Sequence, residues 1–106
     1  MAAEDPRHGI LPERFGIETT RQDLHWAVAV RGEVDLATVD KLEAALGRLS
    51  GPVVLDLSRV SFIDSMGLTL LLRATRNGCT IGKASPAVSR LFRMTGFEEE
   101  LLHKPR

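Results

Sequence analysis

One cysteine, Cys79, stands in a chain of 106 residues, so no internal disulfide can form. No set of Cys and His has the spacing of a structural zinc site either. Cys79 reads as a buried, inert thiol, and a chain without disulfides fits a reducing cytoplasm. Charge of one sign is equally scarce, because 14 Lys+Arg balance 14 Asp+Glu. Binding nucleic acid or an anionic membrane through bulk charge needs a basic excess, and none is present. Long hydrophobic runs are missing too. Leu68 to Leu72 is far too short to span a bilayer, and Met1 to Arg14 lacks the apolar core of a signal peptide. Direct membrane insertion is therefore not expected.

Catalytic signatures are absent in the same way. Ile63 stands where a G-x-S-x-G elbow around Ser65 needs its first glycine. No GxxxxGK[ST] phosphate loop occurs. His8, His25 and His103 have no evident reach to Ser65, and each reads as a surface or structural residue. Glu98, Glu99 and Glu100 read as a solvated helix face rather than a metal site. The expectation is a protein that is not an enzyme and uses no metal or cofactor of its own.

What is present is an ordinary globular balance, with 43% hydrophobic and 26% charged residues. That length and balance predict one domain over residues 15–106, preceded by a flexible arm over residues 1–14 that carries Pro6, Gly9 and Pro12. Phe15, Ile17 and Thr19 alternate with smaller or polar residues as in a strand. A polar corner at Gln22–Asp23 leads to a second strand, His25 to Val30, and the two predict a hairpin. Trp26 reads as core. Arg31 to Asp35 ends the second strand and opens a helix with Asp35 as N-cap. Val39, Leu42, Leu46 and Leu49 then line one helix face until Ser50–Gly51–Pro52.

Val53 to Leu57 is a short apolar run typical of a central strand. Ser58 to Ser61 reads as a polar crossing from which Val60 and Phe62 point inward. A second helix, roughly Met66 to Arg76, is apolar on most sides. Cys79 to Ala84 predicts a fourth strand weakened by Gly82 and Lys83. Ser85–Pro86 starts a third helix, with Val88, Leu91, Phe92 and Thr95 on one face and Gly96 as the stop. Phe97 to His103 adds a last turn or two. The order β-β-α-β-α-β-α is an α/β layer, and nothing in it demands more than a monomer.

Asp64–Ser65–Met66–Gly67 falls where the central strand hands over to a helix. Unpaired N–H groups and the positive end of the helix dipole converge there, so negative charge is tolerated. On local chemistry alone, Asp64 or Ser65 serves as a plain N-cap, and Gly67 keeps the turn open to another protein.

The run Val53 to Leu68, with Ile63–Asp64–Ser65–Met66–Gly67–Leu68 at its end, resembles the signature of the STAS domain. Within that family it is most similar to bacterial anti-sigma-factor antagonists. Gly32–Glu33–Val34–Asp35 resembles the loop before the family's first helix, and Ser85 to Gly96 resembles its C-terminal helix. The resemblance spans about Phe15 to His103. It implies a mixed sheet of about four strands with helices packed mainly on one face. It also implies that Ser65 is phosphorylated by an anti-sigma factor that is itself a serine kinase. The unmodified form would bind that kinase and free its sigma factor, and a serine phosphatase would reverse the modification.

By position, Asp35 matches a contact to the partner's basic surface. Gly32, Glu33, Asp64, Gly67 and Leu68 match positions that shape the patch around the serine. Met66 departs from the family's usual small or hydroxylated residue, and either tunes partner choice or reaches back into the core. The stretch from Ser65 to Ser85 is about one helical turn shorter than usual, which predicts a shortened second helix or a damaged fourth strand. The competing reading is a non-switching STAS adaptor subunit, for example beside a membrane transport ATPase.

Overall fold

Alternating apolar side chains commit Trp26–Val34 and Val53–Ile63 to the two central strands of a four-stranded sheet. The computed structural model describes residues 14–96. Its elements are β1 (Gly16–Arg21), β2 (Trp26–Val34), α1 (Val39–Gly47), β3 (Val53–Ile63), α2 (Ser65–Arg76), β4 (Cys79–Ala84) and α3 (Pro86–Thr95), and the strands lie in the order β1-β2-β3-β4. The hairpin β1–β2 is antiparallel, whereas β2–β3 and β3–β4 are parallel. The two crossovers step across the sheet in the same direction. Right-handed connections therefore put α1 and α2 on the same face.

Burial follows that topology. Val28, Val30 and Val34 of β2 and Val53, Leu55 and Leu57 of β3 are buried, while Ala27, Ala29, Val54 and Asp56 between them are only half-covered. Leu42 of α1, Leu68 and Leu71 of α2, and Val88 and Phe92 of α3 close the core over the buried row. Ser85 caps α3 by accepting the Val88 N–H at 3.2 Å, and Gly96 ends it in the left-handed region at φ 81°.

Several sequence expectations need correction. β2 does not stop at Val30: Gly32, Glu33 and Val34 remain in the strand, paired with Val60, Phe62 and Ile63. Asp35 is not the N-cap of α1, because the helix starts at Val39 behind Thr38. Asp35 instead opens the preceding turn, accepting the Ala37 N–H at 3.0 Å, while the Thr38 hydroxyl donates to the Glu33 carbonyl at 2.7 Å.

Ser58 to Ser61 is not a crossing but part of a continuous β3. Two register shifts each give β3 an extra residue against β2, and the second changes which face follows. Val60 is buried as expected, yet Phe62 points outward and Ile63 takes the inward position. β4 is intact despite Gly82, which is its bulge: Leu55 pairs with Ile81 and Asp56 with Lys83, leaving Gly82 unpaired between them. Cys79 is half-buried rather than fully buried, and burial pushes its thiol pKa up, so it stays protonated at neutral pH. Trp26 is half-buried at the sheet's lower end, where its indole N–H donates to the Ser50 carbonyl at 3.2 Å under the Arg21 guanidinium. Met1 to Glu13, Glu98–Glu100 and the turn at Phe97–His103 lie outside the described residues.

On the sheet's open face the Asp56 carboxylate accepts the Ser58 hydroxyl at 2.6 Å and the Ser58 N–H at 2.9 Å. These bonds favour the ionised form and lower the Asp56 pKa, with smaller help from Lys83 and Arg59. A depressed pKa contributes stability above the ordinary aspartate value of about 3.9, and that contribution fades as pH falls through the lowered value. Asp56→Asn is therefore expected to melt below wild type near neutral pH. The gap between the two melting curves should narrow as pH falls below the ordinary aspartate value and close once it passes the lowered Asp56 value. A gap that persists unchanged in acid would assign it to packing instead.

Candidate functional site

β3 delivers Asp64 and Ser65 to the upper rim of the sheet, where the chain turns into α2. Asp64 is the N-cap and Ser65 the first helical residue. The Asp64 N–H donates to the Val34 carbonyl at 3.2 Å, which continues the β2–β3 ladder by one step. Its carboxylate then serves two elements. Oδ1 accepts the Gly67 N–H at 2.9 Å, capping α2, and Oδ2 accepts the Leu36 N–H at 3.2 Å from the turn after β2. Ser65, the next residue, lies exposed.

Gly67 does not hold the turn open, as the sequence implied. It is buried, and a Cβ there would meet the Val34 carbonyl oxygen at 2.7 Å and Ile63 Cγ1 at 2.8 Å. Its lack of a side chain lets α2 start hard against the end of β2. Gly32 lies deeper, at φ +90°, and a Cβ on it would come within 2.7 Å of the Phe15 backbone. Leu68 is buried in the core. Of the residues singled out from sequence, Glu33, Asp35, Asp64, Ser65 and Met66 thus reach the rim, and Gly32, Gly67 and Leu68 form it from beneath.

Met66 does not reach back into the core: it is 46% exposed. It has company that sequence reasoning missed. Leu36 at 72%, Phe62 at 48% and Met94 at 76% are also exposed, and Leu24, in the hairpin turn at the far end, is the other large apolar side chain so placed among the described residues. Phe62 and Met94 share a groove between the end of β3 and α3, with Leu91 and Arg90 beside them. Leu36 was hard to find because its three-residue spacing before Val39 mimics a core position. The helix starts too late for that face to include it.

Ser65 offers an exposed hydroxyl, and the described residues set no catalytic base beside it. His25, the histidine among the described residues, immediately precedes β2, whose first residue pairs with the first residue of β3. Ser65 follows the last residue of the same strand, about 30 Å away at strand rise. Asp64 is occupied as a cap, so among the described residues no base stands ready to take the seryl proton. Among the described residues no group of three His, Cys, Asp or Glu side chains is placed to hold a metal ion, and no helix is long and apolar enough to cross a membrane. Arg73, at the other end of α2, pairs with Glu43 of α1 at 3.4 Å.

An α/β layer that presents a serine and exposed apolar side chains at a strand-to-helix turn defines a docking module. The particular family follows from comparison: the chain belongs to the STAS domain family, its residues 17–103 matching the model described as "Mlab, STAS domain". It is 35% identical over 99 residues to the anti-sigma-B factor antagonist of Staphylococcus aureus, covering 84% of this chain and 91% of that one. The Staphylococcus epidermidis protein of the same name is 34% identical with the same coverage. Among solved structures, an anti-sigma factor antagonist from Mycobacterium paratuberculosis matches with TM-score 0.76 and 29% identity, over 88% of each chain. The anti-sigma factor antagonist SpoIIAA in its unphosphorylated form shares the fold, with TM-score 0.64 and 24% identity over 87% of this chain and 88% of that one.

Proposed function

We propose that this protein is an anti-sigma-factor antagonist that works by switching partners. Unmodified, it binds an anti-sigma factor that is also a serine kinase, and the sigma factor is released. Phosphorylation of Ser65 by that kinase ends the binding, and a serine phosphatase restores it. The protein acts by docking rather than catalysis, as a monomer in the cytoplasm. The observation that carries this reading is the exposed Ser65 flanked by exposed apolar side chains, a combination that marks a protein-binding surface. The names of its relatives from two Staphylococcus species point the same way.

The physics of the switch is local. A phosphoryl group adds about −1.5 to −2 charge and three acceptor oxygens. On the first residue of α2 that charge suits the helix dipole, so the fold tolerates it. An interface does not. Docking would have to desolvate a dianion next to the carboxylates of Asp64 and Asp35, at a cost that close packing cannot recover.

One observation favours a second reading. The family description that matches names Mlab, and Met66 departs from the family's usual residue beside the serine. A non-switching adaptor subunit beside a membrane transport ATPase would use the same helix face without phosphorylation. Intact mass of the protein from its native host, before and after phosphatase, separates the two. A single removable phosphoryl group, absent in Ser65→Ala, is expected. An unmodified mass under every growth condition would favour the adaptor.

A further inference from the structure

Met66 follows Ser65 in α2, Leu36 is hydrogen-bonded to the residue before that serine, and one carboxylate fixes both. Asp64 Oδ2 holds the Leu36 N–H at 3.2 Å and Oδ1 holds the Gly67 N–H at 2.9 Å, so the turn carrying Leu36 is tied to the helical turn carrying Met66. Neither segment has room to withdraw. α2 is seated against Val34 so closely that Gly67 cannot take a Cβ. The Leu36 turn is closed by the Asp35 and Thr38 hydrogen bonds and leads straight into α1. Two large apolar side chains are thereby kept in water at fixed places, which is unfavourable until something covers them. The carboxylates of Asp35 and Asp64 lie at the same two turns, so the complementary surface is apolar at its centre and basic at its border.

We propose that Leu36 and Met66 are paired apolar anchors that select the partner, that Asp64 is the positioning residue that sets them relative to Ser65, and that their occupant is an apolar recess with basic borders on the anti-sigma factor. This rests on the antagonist reading given above. Affinity would then come from the anchors, and Ser65 beside them would decide whether they can seat. The departure at Met66 becomes a specificity element: a small or hydroxylated residue there would leave half of the recess empty.

The test uses the full chain in its native host, carrying the photocrosslinker p-benzoylphenylalanine at position 36, 66 or, as a distant control, 24. Adducts are identified by mass spectrometry, and the captured protein is purified for titration. The expected result is an anti-sigma-type serine kinase captured from positions 36 and 66 but not 24. Leu36→Ser and Met66→Ser should each weaken its binding about tenfold with unchanged melting, since both side chains are exposed. Asp64→Asn should also weaken binding while α2 stays capped, because asparagine caps well but has one acceptor oxygen where aspartate has two. Amide exchange should accelerate at Leu36 and not at Gly67. Serine variants that bind the kinase as wild type does, or a Leu36 amide indifferent to Asp64→Asn, would overturn the anchors and leave the antagonist reading in place. Capture of a transport ATPase by a chain that is never phosphorylated would overturn that reading and the proposed occupant together. No adduct at 36 or 66, with the kinase bound elsewhere on the chain, would overturn the anchors alone.

Discussion

Ser65→Asp is expected to bind the anti-sigma factor at least about a hundredfold more weakly than wild type, with a melting temperature within about 2 °C of it. The two halves of this result have separate causes. In the free protein the new carboxylate sits on the first residue of α2, where negative charge gains about 0.3–1 kcal/mol from the helix dipole. Repulsion from Asp64 offsets part of that gain in an exposed, well-screened place. In the complex the same carboxylate is buried without a partner, a loss of about 2–5 kcal/mol, and a hundredfold is about 2.7 kcal/mol. Isothermal titration against the kinase, beside a thermal melt, reads both. Binding within threefold of wild type would remove the electrostatic account of the switch.

Gly32→Ala should be the most destabilising single-methyl change in the described chain, costing about 3 kcal/mol and lowering the melting temperature by roughly 15 °C. Two effects combine. At φ +90° any side chain is strained, by about 1–2 kcal/mol. The added methyl would also lie 2.7 Å from the Phe15 backbone and 2.9 Å from the Arg14 carbonyl carbon. Backbone cannot rotate aside as a side chain does, so β1 must shift at its start. Gly78→Ala is the internal control, since Gly78 has φ +100° and nothing within 4 Å of its Cβ position. It should show the conformational cost alone, about 1 kcal/mol. Equal losses at both positions would mean that β1 yields freely and that the close approach is worth nothing.

Both predictions concern the same rim, one above it and one beneath. Gly32 lets β1 and the end of β2 approach, Gly67 lets α2 approach β2, and together they bring the Asp35 turn and the Ser65 turn side by side. A change at Gly32 should therefore disturb docking as well as stability, whereas Gly78→Ala should leave docking alone.

Much of this molecule was legible before any coordinates. Period-two and period-three-to-four patterns placed all seven elements in order, because each element must bury one face and the pattern records which. Ser85 and Gly96 bounded α3 correctly, since a cap and a left-handed stop depend on residues a few positions apart. Asp64 and Ser65 were found for the same reason: a strand-to-helix handover is a local event.

What failed to show in the sequence depended on neighbours distant along the chain. Phe62 was expected inside along with Val60, but the extra residue that β3 carries against β2 between Val60 and Phe62 turned it outward, and only the pairing reveals that shift. Gly82 spoke against β4 and proved to be its bulge, tolerated because β3 supplies the partners on either side. Asp35 resembled an N-cap because aspartate before an apolar period usually is one. The Thr38 bond to the Glu33 carbonyl instead delays the helix to Val39 and leaves Leu36 outside it. The sequence by itself determined the layer, the element order and the strand-to-helix handover at Asp64–Ser65, all of which rest on contacts within one or two turns. Only the tertiary structure decided that Gly67 is a packing contact, that Met66 faces water, and that Asp64 joins Leu36 to the serine's helix, because each depends on where β2 ends relative to α2.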